Sequence, residues 1–185
     1  MQKREAKETI NMQKYEIITD QEDENYGHIR ALMDFSDVKK CDIGGKIDNY
    51  DNLSQEGDCW VGYYARVCDD AKVYDNARVY GHAKIYDDAE LFGNVSVCDN
   101  AKIYDSAIVY GNAKVYGDAK IYDNAKVYTN AKVYDNARVC GEAKVYCNAE
   151  VFDDAKIYGN AIVSDNARVY DHAEVYGEAK VYDEA

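Results

Sequence analysis

From Ala65 to Ala185 the chain repeats every six residues without an insertion or a deletion. The unit reads Ala-Lys-Val-Tyr-Asp-Asn, as at Ala71–Asn76 and Ala131–Asn136. Twenty hexads run in one phase, and a fixed internal period forces equivalent units to stack on one another. Within a hexad, the first and third residues lie two apart and point to the same side of an extended chain; the second and fourth share the other side. Lysine and arginine are almost never buried unpaired. The lysine side therefore faces water and the Ala/Val side forms the core, which places the tyrosines outside.

The aliphatic column supports this reading. It runs Val61, Val67, Val73, Val79, Ile85, Leu91, Val97, Ile103 and on to Val175 and Val181 without a polar residue. Its partner column is alanine from 65 to 185 except at Val95. One small and one branched residue suit a narrow interior, and the β-branched choice favours strand. The last two positions are rich in Asp, Gly and Asn, which tolerate left-handed backbone angles, so each hexad predicts a short strand and a corner. A helix needs apolar spacing near 3.6, which a period of six does not supply. Strand-and-corner units without crossover helices predict an all-β parallel β-helix, a triangular prism with 18 residues per coil. Twenty hexads then give about 6.7 coils, a prism roughly 30 Å long.

These hexads resemble the hexapeptide repeats of left-handed β-helix proteins, many of them acyltransferases. The segments Asp34-Phe35-Ser36-Asp37-Val38-Lys39-Lys40 through Gly44-Gly45, and Asn52-Leu53-Ser54-Gln55-Glu56-Gly57-Asp58-Cys59-Trp60-Val61, resemble the start of the YdcK-like hexapeptide-repeat proteins of bacteria, phages and prophages, often described as transferases. The resemblance covers residues from about 28 onward. It implies left-handed coiling, and it places Cys41 where relatives usually carry glycine.

Three segments are expected: 1–14 flexible, 15–64 a β-hairpin and capping segment, and 65–185 the β-helix. Lys14–Asp20 and His28–Phe35 read as two strands around a polar turn, with Ile29, Ala31, Met33 and Phe35 on one face. With Ile47, Leu53 and Trp60 they would plug the end of the prism, since terminal repeats need a cover. The opposite end, Val181–Ala185, reads as an edge coil guarded by two acids, which leaves end-to-end stacking open. No apolar run approaches a membrane span and the start lacks a signal-peptide core, so a cytoplasmic or virion-associated protein is expected. Six cysteines (41, 59, 68, 98, 140, 147) show no Cys-x-x-Cys spacing and read as free thiols in a reducing compartment.

Sorting by eighteen gives three unequal sides. One carries Tyr74, Phe92, Tyr110, Tyr128 and Tyr146 beside a charged column broken by Ile108 and Ile162. It is the most apolar side. Phe92, Ile108, Tyr110, Tyr128, Tyr146 and Ile162 are accordingly the candidate interface residues for a homo-oligomer, a dimer or trimer, or for a protein partner. Another side has the basic run Arg66, Lys84, Lys102, Lys120, Arg138 and Lys156. Asn76, Asn94, Asn112, Asn130, Asn148 and Asn166 fall on one corner as a candidate amide ladder holding register. A second corner is acidic, with Asp69, Asp70, Asp87, Asp88, Asp105, Asp123, Glu142 and Glu178, and reads as a solvated edge.

Acyl transfer would, by the resemblance, use an active-site histidine in a trimer. His82 and His172 are ninety residues apart, five coils or roughly 24 Å, and read as turn residues. No loop interrupts the repeat to wall off a pocket, and no histidine cluster suggests a metal. The sequence therefore assigns no catalytic residue, cofactor or metal. The net charge of −13 opposes nucleic-acid binding and leaves mimicry of DNA as an alternative. The leading expectation is a non-catalytic β-helical scaffold of phage or prophage type; the second is an acyl-CoA-dependent acyltransferase.

Overall fold

The computed structural model describes residues 13–19 and 26–183. The expected flexible segment (residues 1–12), most of the polar turn (20–25) and the terminal pair Glu184-Ala185 lie outside the described residues. Three strands open the chain: β1 (Tyr15–Thr19), β2 (Gly27–Ala31) and β3 (Ile43–Ile47). β1 and β2 pair antiparallel, as do β2 and β3. β3 then takes a parallel neighbour, Arg66–Val67, with Lys46 opposite Arg66. From that point every pairing is parallel, and the molecule is a β-solenoid of three sheets.

One sheet has ten strands, β1 to β3 followed by one strand per coil as far as Glu174–Val175. The other two have seven each, starting at Trp60–Val61 and at Lys72–Val73. Lys84 pairs with Lys102, Lys102 with Lys120 and Lys120 with Arg138, so the period of eighteen is the coil itself. The first coil is longer: Lys46 to Arg66 and Leu53 to Val73 each span twenty residues.

Inside, the small and branched columns are buried as their side assignment requires. Ala83, Ile85, Ala89, Leu91, Val97, Ala101 and Ile103 are 0% exposed. The cap works by the same burial: Tyr15, Ile29, Ile47 and Leu53 are fully buried, and Trp60 nearly so. The four-residue face expected along the second strand is shorter than the sequence suggests. β2 ends at Ala31, and Phe35 instead exchanges two backbone hydrogen bonds with Val38 (3.0 and 2.9 Å) and packs edge-on against Trp60.

Lys14 departs from the rule that lysine faces water. It is buried, and its ammonium donates to the carbonyl oxygens of Gly57 and Cys59 (3.1 Å each) and of Glu56 (3.3 Å). Those acceptors replace its hydration and tie β1 to the loop ahead of Trp60.

The corners carry the backbone strain. Every fifth hexad position from Asp69 to Gly177 has φ between 53° and 80°, the left-handed region that glycine adopts freely and Asp or Asn tolerate. Aspartate adds a second contribution there. Asp87 Oδ2 accepts the N–H of Asp105 (3.2 Å), Asp105 that of Asp123 (3.2 Å), Asp123 that of Gly141 (2.9 Å) and Asp99 that of Gly117 (3.0 Å). Four of the eight acids expected to form a solvated edge, Asp69, Asp87, Asp105 and Asp123, thus bond the backbone of the next coil. Thr129, β-branched, occupies the same corner at φ 61° with no such compensation. Thr129→Gly should stabilise the protein by up to about 1 kcal/mol by relieving that conformation, whereas Asp105→Ala should destabilise it by about 1–2 kcal/mol. Denaturant unfolding of both variants checks the pair of signs.

Candidate interaction surface

With the core closed, the exterior is three flat faces, each made of two side-chain columns. The second hexad position forms a charged column and the fourth a ring column. On the face built from Lys72–Val73 through Lys180–Tyr182, Tyr74, Phe92, Tyr110, Tyr128 and Tyr146 make one unbroken stack. Ring centroids are 4.8–5.0 Å apart and planes are within 8° of parallel. Elsewhere a small residue interrupts the rings. Cys98 separates Tyr80 from the stack of Tyr116, Tyr134, Phe152 and Tyr170. Cys140 separates Tyr86, Tyr104 and Tyr122 from Tyr158 and Tyr176. The strand-to-strand distance sets this spacing, and parallel rings cover each other's faces, leaving edges and hydroxyls to solvent.

The face with the longest stack also has the longest strands in the repeat. Glu90–Gly93 and Ile108–Gly111 are four residues each and pair along their whole length, Tyr110 opposite Phe92 and Gly111 opposite Gly93. Beside the rings runs the column Glu90, Ile108, Lys126, Lys144, Ile162 and Lys180, joined pairwise in register. All six candidate interface residues, Phe92, Ile108, Tyr110, Tyr128, Tyr146 and Ile162, therefore lie on one sheet, partly exposed.

The asparagine corner is a continuous amide chain. Asn76 Nδ2 donates to Asn94 Oδ1 (3.1 Å), Asn94 to Asn112 (3.0 Å), Asn112 to Asn130 (3.1 Å), Asn130 to Asn148 (3.1 Å) and Asn148 to Asn166 (3.3 Å). Each amide links two coils only when they are aligned to the residue.

A second cross-coil rule appears between ring hydroxyls and the charged column. Tyr74 donates to Glu90 (3.3 Å), Tyr134 to Glu150 (3.5 Å) and Tyr158 to Glu174 (3.1 Å), each sixteen residues on. Burial, with Glu90 adding its charge, pushes the Tyr74 phenol up to about 12. Lys132 bonds Glu150 at 2.7 Å and Arg168 approaches it at 3.4 Å. The Lys132 hydrogen bond is the main reason the Glu150 carboxyl lies below the usual carboxylate range.

The chemistry-bearing residues are scattered. His28 Nδ1 sits 2.7 Å from Gly44 O and its ring stacks on Tyr63. His82 lies beside Tyr64, and His172 meets Asp154 at 3.6 Å, largely exposed. Asp48, Cys68 and Asp69 bring ligand atoms within 4.8 Å of one another. Asp48 Oδ2, however, accepts the Asp69 N–H at 2.7 Å, and burial pushes the Cys68 thiol up to about 12. Asp48 thus spends one carboxylate oxygen on the backbone at this corner. All six cysteines are free. Cys41, where the resemblance expects glycine, holds φ at 77°. Among the described residues no helix is long and apolar enough to cross a membrane.

Because its folded pKa is depressed, Glu150 stabilises the protein above its unfolded pKa, near 4.3, and that contribution is lost as pH falls through the lower folded value. Glu150→Gln should cost about 0.5–1 kcal/mol at neutral pH and flatten the acid limb of the stability curve. Urea unfolding from pH 3 to 7 checks it.

A family described as the YdcK beta solenoid repeat matches residues 155–171, close to one coil, spanning the strands Lys156–Ile157, Ile162–Ser164 and Arg168–Val169. No curated protein matches the chain. Repeat and architecture agree: the chain is a β-solenoid repeat protein, and its coil at residues 155–171 is similar to the YdcK beta solenoid repeat.

Proposed function

We propose that this protein is a non-catalytic scaffold of phage or prophage type that associates with a second copy of itself through the isoleucine face. The observation that carries the reading is the Tyr74–Tyr146 ring stack beside Ile108 and Ile162, in a column whose other members, Lys72, Glu90, Lys126, Lys144 and Lys180, are all charged. The order of the column supports a two-fold contact. Read in either direction from the midpoint between Lys126 and Lys144, the next residue is isoleucine. Two copies packed antiparallel would set Ile108 against Ile162 and Glu90 against Lys180. A self-complementary patch of this kind suits a closed dimer. Lys126 and Lys144 would meet their counterparts, a repulsion eased by laying their stems along the rings with the ammonium groups at the rim. Free thiols fit assembly in a reducing compartment, the cytoplasm.

Burying an isoleucine contributes about 1.5–3 kcal/mol. The double variant Ile108→Lys/Ile162→Lys should keep its circular dichroism spectrum and weaken dimerisation by at least about a hundredfold. Light scattering across a concentration series reads this as a dimer that becomes a monomer. A monomeric wild type, or an unchanged mass in the variant, overturns the reading. Stoichiometric binding of coenzyme A would favour acyl transfer instead.

A further inference from the structure

The ten-stranded face is different in kind. Its charged column reads Lys46, Arg66, Lys84, Lys102, Lys120, Arg138 and Lys156, one cation per strand in direct register, before the first acid at Glu174. Like charges opposite one another on neighbouring strands are destabilising. The other two columns relieve this internally. Lys132 and Arg168 both reach Glu150, and Glu90 and two isoleucines break the third. Here Lys156 reaches Glu174 at 2.8 Å, but Lys84, Lys102, Lys120 and Arg138 make no ion pair among the described residues. That is notable in a chain with 35 acids and 22 bases. The acids of the adjoining corner, Asp87, Asp105 and Asp123, are turned to backbone N–H groups of the next coil.

We propose that this face binds a linear acidic polysaccharide with one carboxylate per sugar, laid along Lys84, Lys102, Lys120 and Arg138. The strand spacing selects the partner: the cations are attached one per strand in direct register, about 4.8 Å apart along the backbone, as the neighbouring rings are at 4.9–5.0 Å. A hexuronan repeats its charge once per sugar, a rise comparable to that spacing. Counted the same way, per unit along the chain, an acidic peptide in extended form repeats about every 3.3 Å and a duplex DNA strand about every 3.4 Å. Single-stranded nucleic acid needs open aromatic faces for its bases, whereas Tyr86, Tyr104 and Tyr122 cover one another with planes 1–2° apart. Their outward hydroxyls suit sugar hydroxyls. The acidic corners confine the ligand to the middle of the face and make the attraction salt-sensitive.

The probe is polygalacturonate, followed by isothermal titration at low and at physiological ionic strength, with its methyl ester, polyphosphate and a single-stranded oligonucleotide as comparators. Polygalacturonate should bind, more weakly at higher salt, and the ester should not. Lys102→Gln/Lys120→Gln should weaken binding about tenfold or more with a melting temperature no lower than the wild type's, and Lys126→Gln/Lys144→Gln on the isoleucine face should leave binding as it was. No binding at low salt, equal binding of the ester, an unaffected Lys102/Lys120 variant, or preference for polyphosphate or DNA overturns the proposal. Since the dimer would use another sheet, each idea can fail without the other.

Discussion

A left-handed residue at every sixth position is what the rest of this molecule depends on. Nineteen successive corners, from Asp69 to Gly177, hold that conformation, and each turns the chain after a short strand. Three such turns bring it back over itself, so any insertion would displace every later column. Aspartate and glycine supply all of these corners but Thr129 and Cys147, and they do so in two ways. Glycine enters it without steric cost; aspartate accepts some strain and returns a hydrogen bond to the following coil. The acidity of the chain is thus in part a structural property, because many of its carboxylates serve the corners.

Register transmits this regularity to the surface. Once Ala and Val fill the interior, each outward position becomes a straight line of like residues one strand apart. Rings in such a line stack, amides chain, and charges either find a partner in the next coil or stand against their own kind. The faces differ through a few departures from the repeat, among them Ile108 and Ile162 on one and Glu150 on another, while the third keeps cations unbroken from Lys46 to Lys156. A solenoid of this sort offers surfaces instead of clefts. Its specificity resides in the order of residues along a column, and that order is what the dimer and polysaccharide proposals draw on.

Much of this was legible in the sequence, because a fixed period couples distant residues through simple arithmetic. The eighteen-residue coil, the inward Ala and Val, the outward rings and the asparagine line all follow from adding eighteen. What lay hidden depends on geometry that addition does not reveal. The aspartate side chains bend back to the backbone of the next coil, and tyrosine hydroxyls lean to the residue sixteen further on, as Tyr74 does to Glu90. The leading segment has no period at all. There the buried Lys14, held by three carbonyl groups, looks in sequence like any solvent-facing lysine. The twenty-residue first coil escaped notice for the same reason.

The most direct test of this account is scalar coupling across backbone hydrogen bonds, measured by long-range HNCO spectroscopy. The fold predicts coupling from the amide of Lys102 to the carbonyl of Ala119, from Tyr104 to Ile121, and from Lys120 to Ala137, a constant separation of seventeen along the solenoid. Couplings at another separation, or one that drifts from coil to coil, would contradict the register on which every column, stack and proposed surface is built.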